Sequence, residues 1–150
     1  MDLLLWRHAE AVEGEPDLTR ELTERGQRQA QKVAGWLGKN KPKRLKVLCS
    51  PAVRTRQTAS AFTDEFEIIT ALGIEASVAD LIAASGWPHS SGACMIVGHQ
   101  PTLGRLIHLL LAGEEQELSV KKGSLWWLTS RTRDEENQTV LRTVISPDFL

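Results

Sequence analysis

Leu3-Leu4-Leu5-Trp6-Arg7-His8 is an apolar run that ends in a guanidinium and an imidazole. Two later runs end in a similar way. Val47-Leu48-Cys49 leads into Ser50-Pro51 and then Arg54, and Met95-Ile96-Val97 leads into Gly98-His99-Gln100-Pro101. Continuous apolar runs of this length suit strands covered on both faces, as in a parallel sheet. In open α/β sheets, ligands bind in the crevice outside the carboxyl ends of the strands. The three runs therefore converge Arg7, His8, Arg54 and His99 on one sheet edge, although they lie far apart in the chain.

The rest of the chain fits this frame. A first strand is expected over Asp2 to Arg7, followed by a polar loop with Gly14 and Pro16. Thr23 is a good N-cap for a helix to about Gly38, with Ala30, Val33, Ala34 and Leu37 at helical spacing. A second strand spans about Lys46 to Cys49. Ser50-Pro51 reads as N-cap and N1 of a helix reaching about Phe66. Between Ile68 and Ser91 a short strand is expected near Ile74 to Val78, then a turn of helix near Leu81. Cys94 to Val97 is a buried strand and Thr102 to Leu111 a helix stopped by Gly113. Ser124 to Thr129 and Thr139 to Ile145 alternate as a strand pair, with Arg131 to Asn137 as their turn. Without repeats or a linker, residues 1–150 read as one three-layer α/β/α domain with a mostly parallel central sheet.

Composition narrows the function. The formal net charge is −1, so no bulk basic field points to nucleic acid. No apolar stretch approaches a membrane span, and the N-terminal run is too short for a signal-peptide core, so a cytoplasmic protein is expected. Cys49 and Cys94 fall in buried strands and read as reduced core thiols. No His, Cys, Asp or Glu cluster has metal-ligand spacing, so no metal is expected. The chain is read as a monomer.

The chemistry follows from the residue types. A neutral imidazole at position 8, fixed at a strand end, is a nucleophile for phosphorus. Guanidinium groups nearby oppose its protonation, each by up to roughly 4 kcal/mol at 4 Å and an effective dielectric near 20. A backbone carbonyl on the other ring nitrogen would fix the tautomer. Arg7 and Arg54 supply planar forks that match phosphoryl oxygens. Arg54 lies in the first turn of its helix, whose positive end faces the same edge. Gly98 lets the backbone come close, and a protonated His99 would be a third cationic contact. His89 and His108 lack this context and read as a loop residue and a plain helix residue.

At these residues the chain resembles the histidine phosphatase superfamily, with its phosphoglycerate-mutase-like fold. Arg7-His8 resembles the Arg-His-Gly signature, with Ala9 in place of the glycine. A methyl group there resists a positive φ, so an ordinary loop backbone is expected. Ser50-Pro51-Ala52-Val53-Arg54-Thr55-Arg56-Gln57-Thr58-Ala59 resembles the Ser-Pro-x-x-Arg-x-x-Gln-Thr-Ala segment, and Gly98-His99-Gln100-Pro101 the second histidine motif. Asp17 to Gly26 is similar to the Leu-Thr-x-x-Gly lead into the first helix. The short length, and Arg20 ahead of Leu22-Thr23, are most similar to the SixA-type phosphohistidine phosphatases. The resemblance implies that His8 is the nucleophile, that Arg7, Arg54 and His99 bind the phosphoryl group, and that Arg20 lines the pocket. It implies no metal and no cofactor. Larger relatives carry an acidic proton donor between the second arginine and the second histidine; Asp80 is the nearest candidate, with a solvent-facing or helix-capping aspartate as its plain alternative.

The expected substrate is a phosphorylated protein bearing phosphohistidine. A phosphoimidazole leaves without a strong acid, whereas an ester oxygen needs a placed donor. An open crevice with little lid would admit a protein-borne group. A small phosphate ester on the same machinery, and a non-catalytic phosphate-binding module, are the alternatives. A cysteine phosphatase built on Cys49 is disfavoured, because Arg54 and Arg56 both miss the five-residue spacing that its loop requires.

Overall fold

The computed structural model describes all 150 residues. Asp2–Arg7 (β1), Leu45–Cys49 (β2), Glu67–Ile68 (β3), Ala93–Gly98 (β4), Leu125–Arg133 (β5) and Glu136–Ile145 (β6) form one sheet in the order β3-β2-β4-β1-β5-β6. β3, β2, β4 and β1 run parallel, while β5 and β6 are antiparallel additions beyond β1. Successive side chains of β1 point to opposite faces. Leu4 and Trp6 join the core beneath Glu24–Asn40 (α1) and Val53–Ser60 (α2), with Val33, Leu37 and Ala59. Leu3 and Leu5 join the other core, beneath Val78–Ser85 (α3) and Thr102–Ala112 (α4), with Leu81, Leu103 and Ile107. The expected three-layer α/β/α architecture is the one observed.

The helices change side of the sheet after β3, and β1 and β4 are parallel neighbours at the centre of the sheet. Their register pairs Arg7 with Gly98 and Trp6 with Val97, and β2 aligns Cys49 with Val97. The segments after the three strands are tied together: the amide of His8 donates to the Gly98 carbonyl at 3.1 Å, and that of Ser50 to Val97 at 3.1 Å. The residues of the three motifs thus leave the sheet at one level.

Several local expectations are corrected. α2 begins at Val53 with Ala52 as N-cap and ends at Ser60, not at Ser50 and Phe66. Ser50 Oγ meets His99 Nε2 at 2.7 Å and accepts the Ala52 amide at 3.3 Å, closing a turn ahead of the helix rather than capping it. The strand expected near Ile74 to Val78 is absent. The edge strand is Glu67–Ile68, too short to carry a period, and Ser77 opens α3 with a capping box to Asp80. The hairpin turn is only Asp134-Glu135, at φ 52° and 65°, the left-handed pair that a two-residue hairpin requires. Arg131 and Asn137 are inside the paired strands. A Cβ at Gly98 would meet only ordinary contacts at 3.6 and 3.8 Å, so no close approach explains that glycine.

The close approach occurs at Gly26. Thr23 caps α1 by accepting from the Gly26 amide at 2.9 Å, and the Thr23 amide donates to the Glu10 carbonyl at 3.0 Å. A Cβ on Gly26 would stand 1.9 Å from that same carbonyl oxygen. Gly26→Ala is expected to destabilise the fold by about 1–3 kcal/mol through overpacking, measured by equilibrium urea denaturation. An unchanged denaturation midpoint would show that the helix start is not locked against the loop after His8.

Candidate active site

His8 is 7 % exposed, Arg54 4 % and His99 5 %. Their side chains meet at the carboxyl edge of β1, β2 and β4. Arg54 is the hub. Its Nε donates to His8 Nε2 at 3.4 Å and its Nη2 to His99 Nδ1 at 3.4 Å. Both imidazoles therefore turn a lone pair toward the guanidinium, because arginine can only donate. The ring centroids of His8 and His99 lie 5.4 Å apart.

The tautomer of His8 follows. Its Nδ1–H donates to the Ala9 carbonyl at 2.7 Å, leaving Nε2 as the free base. This is the carbonyl acceptor that the sequence could not specify. The Ala9 amide is held in turn by Thr58 Oγ1 at 3.1 Å, and the Thr58 hydroxyl donates to the Arg54 carbonyl at 2.7 Å. The loop after His8 is thereby locked to the helix that carries Arg54. Ala9 has no positive φ, in keeping with an ordinary backbone there. Burial, opposed by the Ala9 hydrogen bond and aided by Arg54, Arg7 and Arg20, lowers the His8 pKa to about 4.

His99 is held by Ser50. Since Nδ1 accepts from Arg54, its Nε2–H donates to Ser50 Oγ at 2.7 Å. Burial, then the charges of His8 and Arg54, lower its pKa to about 3. His99 is thus neutral at pH 7 in this structure, where the sequence suggested a cation. A phosphoryl dianion beside it acts against the arginines and raises its affinity for a proton.

Arg7 donates through Nη1 to the Val120 carbonyl at 2.7 Å. Its Nε is buried without a partner, a donor that an oxyanion could satisfy. Arg20 donates through Nε to the Val12 carbonyl at 2.7 Å and through Nη1 to Asp17 Oδ1 at 3.1 Å. Asp17 also engages Arg54, through Oδ2 at 3.1 Å and its carbonyl at 2.9 Å. The crevice is therefore less open than expected: the turn Asp17–Thr19 closes over Arg54. Asp17, Ser50 and Thr58 are the site-bearing residues that sequence reasoning did not single out. The Asp17–Arg20 spacing was a visible signal, the i,i+3 charge pair.

Asp80 does not join this cluster. Its carboxylate accepts the Ser77 amide at 2.9 Å while its own amide donates to Ser77 Oγ, the helix-capping alternative. Those bonds hold its carboxyl below the ordinary value. That favours its ionised form, the opposite of what a proton donor needs. The Cys49 thiol is pushed up to about 12 by burial, so no thiolate forms there. No three His, Cys, Asp or Glu side chains gather as a metal set, and no helix is long and apolar enough to cross a membrane.

The arrangement gathers the buried Arg54 and the unpartnered Nε of Arg7 beside an unprotonated ring nitrogen of His8, a set of groups suited to a tetrahedral oxyanion. Comparison with known proteins agrees with that chemistry. No curated protein matches the chain significantly. Among solved structures, the protein histidine phosphatase SixA complexed with tungstate is 24 % identical, with a TM-score of 0.77 over 99 % of both chains. The alpha-ribazole phosphatase of Shigella flexneri is 22 % identical, with a TM-score of 0.65 over 98 % of this chain and 97 % of that one. A phosphoserine phosphatase of Entamoeba histolytica, in complex with phosphoserine, is 17 % identical, with a TM-score of 0.68 over 99 % and 98 %. These likenesses establish the fold. The profile of the histidine phosphatase superfamily (branch 1) matches residues 3–80, more than half of the chain, and the chain belongs to that superfamily.

Proposed function

We propose that this chain is a phosphatase that removes the phosphoryl group from phosphohistidine on a protein, through a covalent phosphohistidine at His8. The observation that carries the reading is the state of the His8 ring: Nδ1–H on the Ala9 carbonyl, Nε2 bare and facing Arg54. Binding alone does not require a ring nitrogen prepared in this way.

In the reaction, phosphoryl oxygens take the donors of Arg7 and Arg54, and the lone pair of His8 Nε2 attacks phosphorus. The bond to the leaving nitrogen breaks and its electron pair stays with the substrate imidazole. The Nδ1–H of His8 remains on the Ala9 carbonyl and spreads the positive charge of the phosphorylated ring. Water then attacks phosphorus, the pair of the P–N bond returns to Nε2, and both water protons leave with the product as dihydrogen phosphate. Fixed cations stabilise the negative charge on the equatorial oxygens throughout. His99 contributes a neutral ring that becomes a donor as the dianion raises its proton affinity.

The substrate class rests on the acid that the site lacks. An ester oxygen departs readily only with a proton, and Asp80 is committed to capping. The SixA structure that shares this fold is named a protein histidine phosphatase, which favours the same reading. The alpha-ribazole and phosphoserine phosphatases of like fold make small phosphate esters the alternative.

Rapid quench with a labelled phosphohistidine peptide is expected to trap an acid-labile phosphoenzyme that is absent in His8→Ala, with turnover reduced at least about 10³-fold. Cleavage of an aryl phosphate with no turnover of the peptide would transfer the reading to small esters. A fully active His8→Ala would end it. The neutral imidazoles also set a pH dependence. Unfolded imidazoles titrate near 6.5, above the folded values of about 4 for His8 and about 3 for His99. The unfolded chain therefore binds protons first. The stability contributed by these rings is complete above pH 6.5 and is lost as pH falls toward the folded values, on the order of 3 kcal/mol for His8. Ring NMR titration should place the His8 midpoint near pH 4; a midpoint well above 7, leaving the ring protonated at neutral pH, would remove the case for a ready nucleophile.

A further inference from the structure

A carboxylate in an anion pocket is the feature that the reaction above leaves unused. Asp17 Oδ2 lies 3.1 Å from Arg54 Nη2, and Oδ1 lies 3.1 Å from Arg20 Nη1. It occupies the outer side of the guanidinium whose inner side faces both imidazoles. The Asp17 side chain is 41 % exposed, against 5 % for Arg54 and 20 % for Arg20, so it marks the mouth of the pocket. Its position is built. The Arg20 amide donates to the Asp17 carbonyl at 3.2 Å, Thr19 Oγ1 to the Pro16 carbonyl at 3.0 Å, and Arg20 Nε to Val12.

An in-line displacement on His8 sends the leaving group away from the imidazole, toward solvent. The mouth is where it departs, and Asp17 is the charged group there. Its partial burial pushes its carboxyl up, but the hydrogen bonds and charges of Arg20 and Arg54 outweigh this and hold it ionised at neutral pH. An ionised carboxylate cannot protonate an ester oxygen, and it repels an anionic leaving group. It can accept a hydrogen bond from an N–H. A phosphoimidazole protonated on its distal ring nitrogen carries such an N–H and leaves as neutral imidazole.

We infer that Asp17 determines specificity at this site, selecting N-linked phosphoryl groups whose leaving ring carries an N–H over phosphate esters. This rests on the phosphohistidine reading above and adds its selectivity residue. When phosphoryl oxygens take the Arg54 donors, the carboxylate stays on Arg20 and turns its freed oxygen to the distal N–H of the substrate imidazole. The P–N bond breaks with its pair going to the proximal nitrogen. The distal proton remains on the ring, held by Asp17, and the product is neutral imidazole. With an ester, the same carboxylate competes for Arg54 and offers nothing to the departing oxygen.

The test compares wild type, Asp17→Asn and Asp17→Ala on a phosphohistidine peptide and on 4-nitrophenyl phosphate. With the peptide, kcat is expected to fall about 10- to 100-fold, the range of one hydrogen bond to a charged group. With the aryl phosphate, KM is expected to fall, because the competing charge is gone. The ratio of kcat/KM values then moves by more than tenfold toward the ester. Equal changes on both substrates would show Asp17 to be only a gate or a structural acid, and would overturn this inference while leaving the phosphohistidine reading in place. Failure of the wild type to turn over the peptide would overturn both.

Discussion

A guanidinium that is 4 % exposed carries a charge that must be balanced where it stands. Arg54 meets that demand with two imidazole nitrogens on one side and the Asp17 carboxylate and carbonyl on the other. This one side chain sets the orientation of both histidines, and their tautomers follow from its being a donor only. The same burial depresses the pKa values of both rings. His8 is neutral because it is dry and surrounded by cations, and its ring is oriented because the Ala9 carbonyl holds its far nitrogen. The low polarity that would make an unbalanced Arg54 costly also makes its field on a phosphoryl group strong.

The sheet makes this possible. β1 and β4 are neighbours in register, so the residues that follow them emerge side by side; the His8 amide on the Gly98 carbonyl continues the ladder one step beyond the strands. β2 delivers Ser50 to the same level, where its hydroxyl holds His99. Other motif residues serve as struts. Gln57 accepts from the Leu22 amide, Thr58 from the Ala9 amide, and Gln100 ties Leu118 to Gly104. They join loops distant in sequence around His8, so its position depends on the packing of α1, α2 and α4 as much as on β1.

The sequence was most legible where burial is deepest. Leu3 to Trp6, Val47 to Cys49 and Met95 to Val97 are covered on both faces, and their composition says so directly. It was least legible at the sheet edge and the surface. Glu67–Ile68 is too short to have a period, and β5 and β6 extend through charged residues to Asp134-Glu135 because their far ends lie in solvent, where pairing needs no apolar pattern. Ser50-Pro51 misled for a different reason: the Ser50 hydroxyl closes a local turn with the Ala52 amide and meets a histidine 49 residues away. Asp80 offered two readings with one composition, and a local capping box took it.

By itself the sequence determined the layer order, the buried strands and the identity of the cations and imidazoles at their ends, because apolar runs and motif spacing are local properties of the chain. Only the tertiary structure decided which ring nitrogens are bare, that His99 is neutral and held by Ser50, and that Asp17 stands across Arg54 at the mouth. Hydrogen-bond direction, desolvation and the balance of a buried charge depend on what surrounds a side chain from every side, and those surroundings come from segments that no window of sequence contains.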